Sequence, residues 1–271
     1  MDNFFYQMSL FGYTVSMICF LINLFTIHRT LLRIATFILF FTFWLHTAAI
    51  GFSWMRYGFF PLLSMGGSLS FVAWSLSLIY LILFYRFNVG ILGAFFTPLI
   101  VSLLFLSRLV PGIATPPRPS FRELWLTLHI GLSLIGDALL AVAFCAGIVY
   151  LLQESQIKQK KTRGIFRRLP ALSFLDTLNY HALIVGFVML TLGLVSGSIY
   201  AQWVRGQFFS WDPKEIWSVL TWLVYAVLLY QRITKGMRGR RAAWLSIIGF
   251  ACLLFTFLGV NYLLKGYHSF R

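Results

Sequence analysis

The segment Trp203-Val204-Arg205-Gly206-Gln207-Phe208-Phe209-Ser210-Trp211 runs directly into Asp212-Pro213-Lys214-Glu215, and two of the five histidines, His129 and His268, stand on either side of it in the sequence. Aromatic rings at this density make either an interfacial belt of the membrane type or a plate for a flat apolar ligand, the rings in question being Trp203, Phe208, Phe209 and Trp211. Neutral imidazoles reaching such a plate from two sides suit a haem iron, whose axial positions take histidine nitrogen. Zinc asks for a third or fourth ligand, and these loops carry no cysteine. Cys19, Cys145 and Cys252 lie singly in apolar runs and read as packing residues. Arg122, Arg205 and Lys265 lie on the same side, either as charge-assisted partners for haem propionates or as solvated interface charges. Asp212, Pro213 and Glu215 occupy the N-cap, N1 and N3 positions of a capping-box-like helix start.

Other ionisable residues fall inside apolar runs. His46 and Asp137 are each costly within a span: His46 is either a ligand or relay or a buried hydrogen-bonding residue, and Asp137 either tunes a site near His129 or bonds a neighbouring helix. His28 and His181 are expected at helix ends, capping or snorkelling.

The elements that must position these groups follow from composition. Of 271 residues, 59% are apolar, 18% aromatic and 11% charged, against about 25% charged in a soluble domain, which excludes disorder and a soluble enzyme. About 20 helical residues cross the roughly 30 Å hydrocarbon core. The apolar runs predict an all-α, polytopic transmembrane bundle of eight spans near residues 4–26, 34–55, 62–85, 88–107, 124–152, 179–203, 214–231 and 242–264, in a single integral domain over 1–271. The first run, lacking a basic flank and a small-residue cleavage site, reads as a retained span.

A net charge of +15 raises nucleic acid as a partner until the basic residues are placed on this topology. With both termini outside, Lys158, Lys160, Lys161, Arg163, Arg167, Arg168 and then Arg232, Lys235, Arg238, Arg240 and Arg241 fall in two inner loops, as the positive-inside rule prefers. These loops are short and carry no interleaved aromatics, so they read as topology signals attracted to anionic membrane lipid, with no nucleic acid partner. A Pro-rich outer link spans 108–123 and an inner basic link 153–178. No internal repeat is evident, which gives an inverted-repeat transporter little support.

The stretches FLDTLNYHALIVGFVMLTLGLVSGSIYAQ, SWDPKEIWSVLTWLVYAVLL and GMRGRRAAWLSIIGFACLLFTFLGVNYLLKGYHSF, within Leu169 to Phe270, resemble the CcsA/ResC type of cytochrome c biogenesis protein, a member of the haem-handling superfamily marked by a tryptophan-rich outer loop. LHIGLSLIGDALLAVAFCAGIVYLLQE and LHTAAIGFSWMRYGFFPLLSMGGSLSFVAW extend the resemblance, more weakly, toward the N-terminus. It implies a haem-binding subunit of a cytochrome c synthase (haem lyase) complex. That subunit works with a ResB-type partner in a bacterial inner membrane, or less readily a thylakoid membrane. It also implies b-type, non-covalent haem held by His129 and His268 against the loop, and presented to the CxxCH thiols of an apocytochrome c. The chain itself contains no CxxCH. Four positions depart from the family pattern: Arg205 and Phe209 replace loop tryptophans, Tyr230 stands where many members carry a histidine, and Gly67 stands where glutamate is common. Two alternatives share the fold: a HemX-like regulator of haem biosynthesis, and a haem transporter without ligation activity.

Overall fold

The computed structural model describes residues 2–26, 28–110, 121–160 and 169–259. The helices are α1 (Asp2–Thr26), α2 (Arg29–Tyr57), α3 (Met65–Phe87), α4 (Gly93–Leu109), α5 (Phe121–Lys158), α6 (Leu172–Arg205), α7 (Pro213–Thr234) and α8 (Arg240–Leu254), the last continuing as a π-helical turn over Phe255–Gly259. Eight segments are long and apolar enough to cross a membrane, and among the described residues there is no strand. The chain is a multi-pass α-helical membrane protein. Its helices outrun the predicted spans because hydropathy marks only the lipid-embedded part. α6 begins at Leu172 rather than near 179, and α5 continues to Lys158 through Gln153, Glu154 and Gln156, which are good helix formers without being apolar. Residues 111–120 of the Pro-rich link 108–123, residues 161–168 of the basic link 153–178, and His268 and Lys265 lie outside the described residues.

The helices gather into two compact units, one holding α1–α4 and the other holding α5 up to Glu154 together with α6–α8. In the first unit, hydroxyl groups link the helices, as is usual where lipid offers no hydrophobic drive for association. The Tyr13 hydroxyl and Ser77 Oγ are 3.0 Å apart, and Ser16 Oγ donates to the Ala35 carbonyl at 2.9 Å. His46 is fully buried, with Nε2 2.8 Å from Ser70 Oγ and its ring edge-on to Tyr6 and Tyr13. Nε2 is thus engaged as the buried hydrogen-bonding reading expects, while Nδ1 has no hydrogen-bond partner among the described residues. Gly67, the position expected to hold glutamate, donates its N–H to the N-cap Ser64 Oγ at 3.0 Å, and a Cβ there would overlap the Pro61 carbonyl. The short 3-10 turn Pro61–Leu63 therefore excludes any side chain at position 67.

In the second unit α5 and α6 approach closely at Gly136, where a Cβ would lie 3.0 Å from the Leu190 nitrogen. A buried polar network ties all four helices. Arg232, counted above as a loop charge, is instead 7% exposed in the last turn of α7. Its guanidinium donates to Asn179 Oδ1 at 2.8 Å and pairs with Asp176 Oδ2 at 3.1 Å. Asn179 Nδ2 donates to the Ala143 carbonyl of α5 at 2.7 Å and to Ser246 Oγ of α8 at 2.9 Å, while Asp176 Oδ1 accepts from the Gly239 N–H at 2.9 Å. Removing one partner of a buried pair strands a desolvated charge at a cost of about 3–5 kcal/mol. Asp176→Ala is accordingly expected to destabilise the protein by about that amount, read as a lowered thermal midpoint in detergent by tryptophan fluorescence. Asp176→Asn, which keeps an acceptor, should lose less.

Candidate functional site

His129 and the aromatic loop belong to the second unit. Trp125 and His129 are one turn apart on α5 and so share a face. Trp125 Nε1 donates to the Ser196 carbonyl of α6 at 2.8 Å, and its ring lies 5.1 Å from that of Trp203, centroid to centroid. His129 Nδ1 is 2.7 Å from the Gly193 carbonyl oxygen. A carbonyl only accepts, so Nδ1 carries the proton and the lone pair sits at Nε2, the tautomer in which an imidazole ligates a metal. Gly197 makes room for the ring: a Cβ there would lie 2.5 Å from His129 Cε1.

The loop between α6 and α7 is held from below by charge. Glu215 accepts from the Ser210 N–H at 2.7 Å, from Ser210 Oγ at 2.9 Å and from Arg205 Nη2 at 2.5 Å, and Arg205 Nη1 donates to Ser210 Oγ at 2.6 Å. Arg205 is thus committed to Glu215 and is not a solvated charge. Asp212 is buried and caps α7 as expected, its Oδ1 accepting from the Lys214 N–H at 2.9 Å. Glu215 does not complete the reciprocal box with the Asp212 N–H, since its carboxylate reaches back two residues further, to Ser210. Between these anchors Trp211 adopts φ 59°, a left-handed conformation that costs a bulky residue about 1–2 kcal/mol. The result is presentation: Trp211 is 77% exposed and Phe208 62% exposed, with Phe209 edge-on to Trp211 at 5.1 Å. Trp203 is 41% exposed beside Trp125.

Among the residues expected at the site, the structure places His129 with Trp203 through Trp125, and Phe208, Phe209, Trp211 and Asp212 on the clamped loop. His268 lies outside the described residues. Asp137, two turns along α5 from His129, lies within electrostatic reach of Lys214 in the first turn of α7. Tyr230 is 59% exposed on α7. His28 precedes α2 without a side-chain capping bond, and His181 lies exposed within α6 against Tyr180, so neither caps a helix. Among the described residues no cluster of three metal-ligating side chains occurs. Sequence reasoning missed Trp125, whose signal was its four-residue spacing from His129, and the Arg205–Glu215 clamp, whose partners are ten residues apart across a turn.

The family model of the cytochrome c assembly protein matches residues 62–268. The chain belongs to this family. The chain is 33% identical over 243 residues to a cytochrome c biogenesis protein CcsA of Guillardia theta, covering 83% of this chain and 81% of the relative. It is 32% identical over 251 residues to CcsA of a Synechococcus strain, CC9605, covering 83% of each. Among solved structures it is similar to a Cytochrome c Heme Lyase CcmF, with a TM-score of 0.70 and 17% identity over 95% of this chain, though it spans only 46% of that one. That likeness extends the fold. Membership of the cytochrome c assembly family places the chain's role in cytochrome c maturation; the conformation of the loop that carries the exposed rings depends on the Glu215 carboxylate. Hydrogen bonds to a charged group contribute about 1.5–3 kcal/mol, so Glu215→Ala is expected to speed amide exchange of residues 206–211 by tenfold or more. Hydrogen–deuterium exchange mass spectrometry in detergent checks this.

Proposed function

We propose that this chain is the haem-binding subunit of a cytochrome c synthase. In this reading it holds b-type, non-covalent haem at the outer face of a bacterial inner membrane, beside a ResB-type subunit, and presents it to the CxxCH segment of an apocytochrome c. The observation that carries the proposal is the His129 imidazole. Its Nδ1–H is fixed on the Gly193 carbonyl, so Nε2 carries the ring's lone pair, one turn along α5 from Trp125, which packs against Trp203. The donor set fits a haem, with imidazole for the iron and exposed indole and phenyl rings for the macrocycle.

Bound haem supplies the vinyl groups to which the cytochrome thiols add. The work of this chain's own residues is to hold and orient. His129, and on the resemblance His268, would hold the iron by donating an imidazole lone pair. Phe208, Phe209, Trp203 and Trp211 offer faces to the ring, and Asp212 with Glu215 keeps the loop that carries three of them in one conformation. Presentation of this kind accelerates a reaction by proximity, turning a bimolecular addition into a near-unimolecular one, and asks for no nucleophile from the presenting chain.

The test is purification from haem-replete cells with visible and pyridine haemochrome spectra. His129→Ala is expected to lower co-purifying haem about tenfold or more, in the range set by lost metal ligation contacts, with added imidazole restoring the spectrum. Trp211→Ala, which removes a ring contact of about 0.5–1.5 kcal/mol, should lower it only severalfold. Unchanged haem content and unchanged spectra in His129→Ala would overturn the assignment.

A further inference from the structure

A groove of about 490 Å³ runs between α7 and α8 on the second unit, starting at Trp217, one turn into α7 from the aromatic loop, and reaching Gln231 in its last turn. Its walls are apolar, formed by Leu220, Val224, Val227 and Leu228 from α7 and Leu245 and Ile248 from α8. From Trp217 to Gln231 it follows α7 for about 21 Å at about 1.5 Å per residue. That exceeds one leaflet, roughly 15 Å as half of the hydrocarbon core, so a single extended acyl chain fits along it.

The two ends differ in chemistry. At one end the lining residue Trp217 packs edge-on against Phe255, ring centroids 4.6 Å apart. At the other end Gln231 introduces the first polar side chain of the α7–α8 connection. There the chain turns at Gly236 and Gly239, both with positive φ, and folds back so that the Gln231 carbonyl accepts from the N–H groups of Lys235 at 3.1 Å and Met237 at 3.3 Å. The Gly239 N–H is held by Asp176. This fixed turn carries Lys235, Arg238 and Arg241, all exposed, while Arg232 is committed to Asp176 and Arg240 lies 3.9 Å from Glu154.

We propose that the α7–α8 groove is a binding site for an anionic diacyl phospholipid, with one acyl chain along α7 and the phosphate at the Lys235–Arg241 turn. An apolar slot with an aromatic residue at one end and a basic turn at the other matches a molecule with one long apolar arm and an anionic head. A zwitterionic lipid would fill the slot without answering the three cations, because attraction of clustered Lys and Arg to the membrane depends on anionic headgroups. The site is independent of the haem reading, since it uses none of the residues assigned to haem.

The full chain is reconstituted in nanodiscs of mixed phosphatidylglycerol and phosphatidylcholine, and retained lipid is counted by native mass spectrometry. The wild-type protein should retain phosphatidylglycerol in clear excess over its share of the bilayer. A Lys235→Gln, Arg238→Gln, Arg241→Gln variant should lose at least fivefold of that preference, and Val224→Trp, which fills the groove and leaves the charges in place, should lose the retained lipid altogether. Thermal midpoints of the variants report folding, and if Val224→Trp does not fold the charge variant decides alone. Equal retention of the two lipids by the wild type, or undiminished preference in the charge variant, overturns the proposal. So does a photo-crosslinker at Val224 that captures a protein subunit rather than lipid in cells.

Discussion

The buried guanidinium of Arg232 is the constraint on which the second unit depends. A cation that is 7% exposed is tolerated only if every neighbouring polar group is turned toward it or toward a partner of its own. Here the requirement is met by residues from all four helices: Asp176 and Asn179 of α6, the Ala143 carbonyl of α5 and Ser246 of α8. Asn179 is satisfied at both ends of its amide, so the network fixes which face α6 turns to each of its neighbours. Helices are stiff over this length, and α5, α6 and α7 carry His129, the Gly193–Gly197 stretch and Glu215 toward their other ends. A register set by one charge is thereby transmitted along three helices to the place where an imidazole must meet a particular carbonyl.

The aromatic loop is built on the opposite principle, with its polar groups pulled inward and its apolar groups left out. Arg205, Ser210 and Glu215 satisfy one another beneath the turn, and Asp212 caps the helix that follows. That holds Trp211 in a left-handed conformation which an indole side chain would not adopt unaided. Large exposed rings raise the cost of the surface they form unless something apolar covers it. A loop under this much polar restraint does not collapse to hide them, so the rings stay exposed.

The helices were legible in the sequence because apolar runs of spanning length have few other uses, and the N-cap Asp212 was legible because Asp-Pro before an apolar run is a local signal. What escaped was of two kinds. Helix ends extended past the lipid-facing run, as in α5 and α6, since hydropathy records solvent and the helix continues on propensity. Side-chain partners distant in sequence were also hidden: Arg232 read as a loop charge until Asp176, 56 residues earlier, was brought beneath it, and Arg205 read as a surface cation until Glu215 was folded back. Gly67 shows the converse case, a departure from the family pattern that becomes intelligible only when the Pro61 carbonyl is seen to occupy the space of a Cβ.

Under the proposed function this subunit hands its ligand on, and so faces a different demand from an enzyme that keeps its cofactor. Deep burial would raise affinity and slow release, and the reacting edge would be shielded from a second protein. The arrangement found here places the ordering cost in the protein before binding: the His129 tautomer is set by Gly193, the ring faces are held by the Arg205–Glu215 clamp, and the exposed surface of Phe208 and Trp211 is left open. Pre-ordering recovers affinity that shallow contact would otherwise forfeit, and it does so without closing over the ligand. Under the proposed function, the same exposure that makes the loop a poor vault makes it a good counter across which an apocytochrome thiol can reach a vinyl carbon.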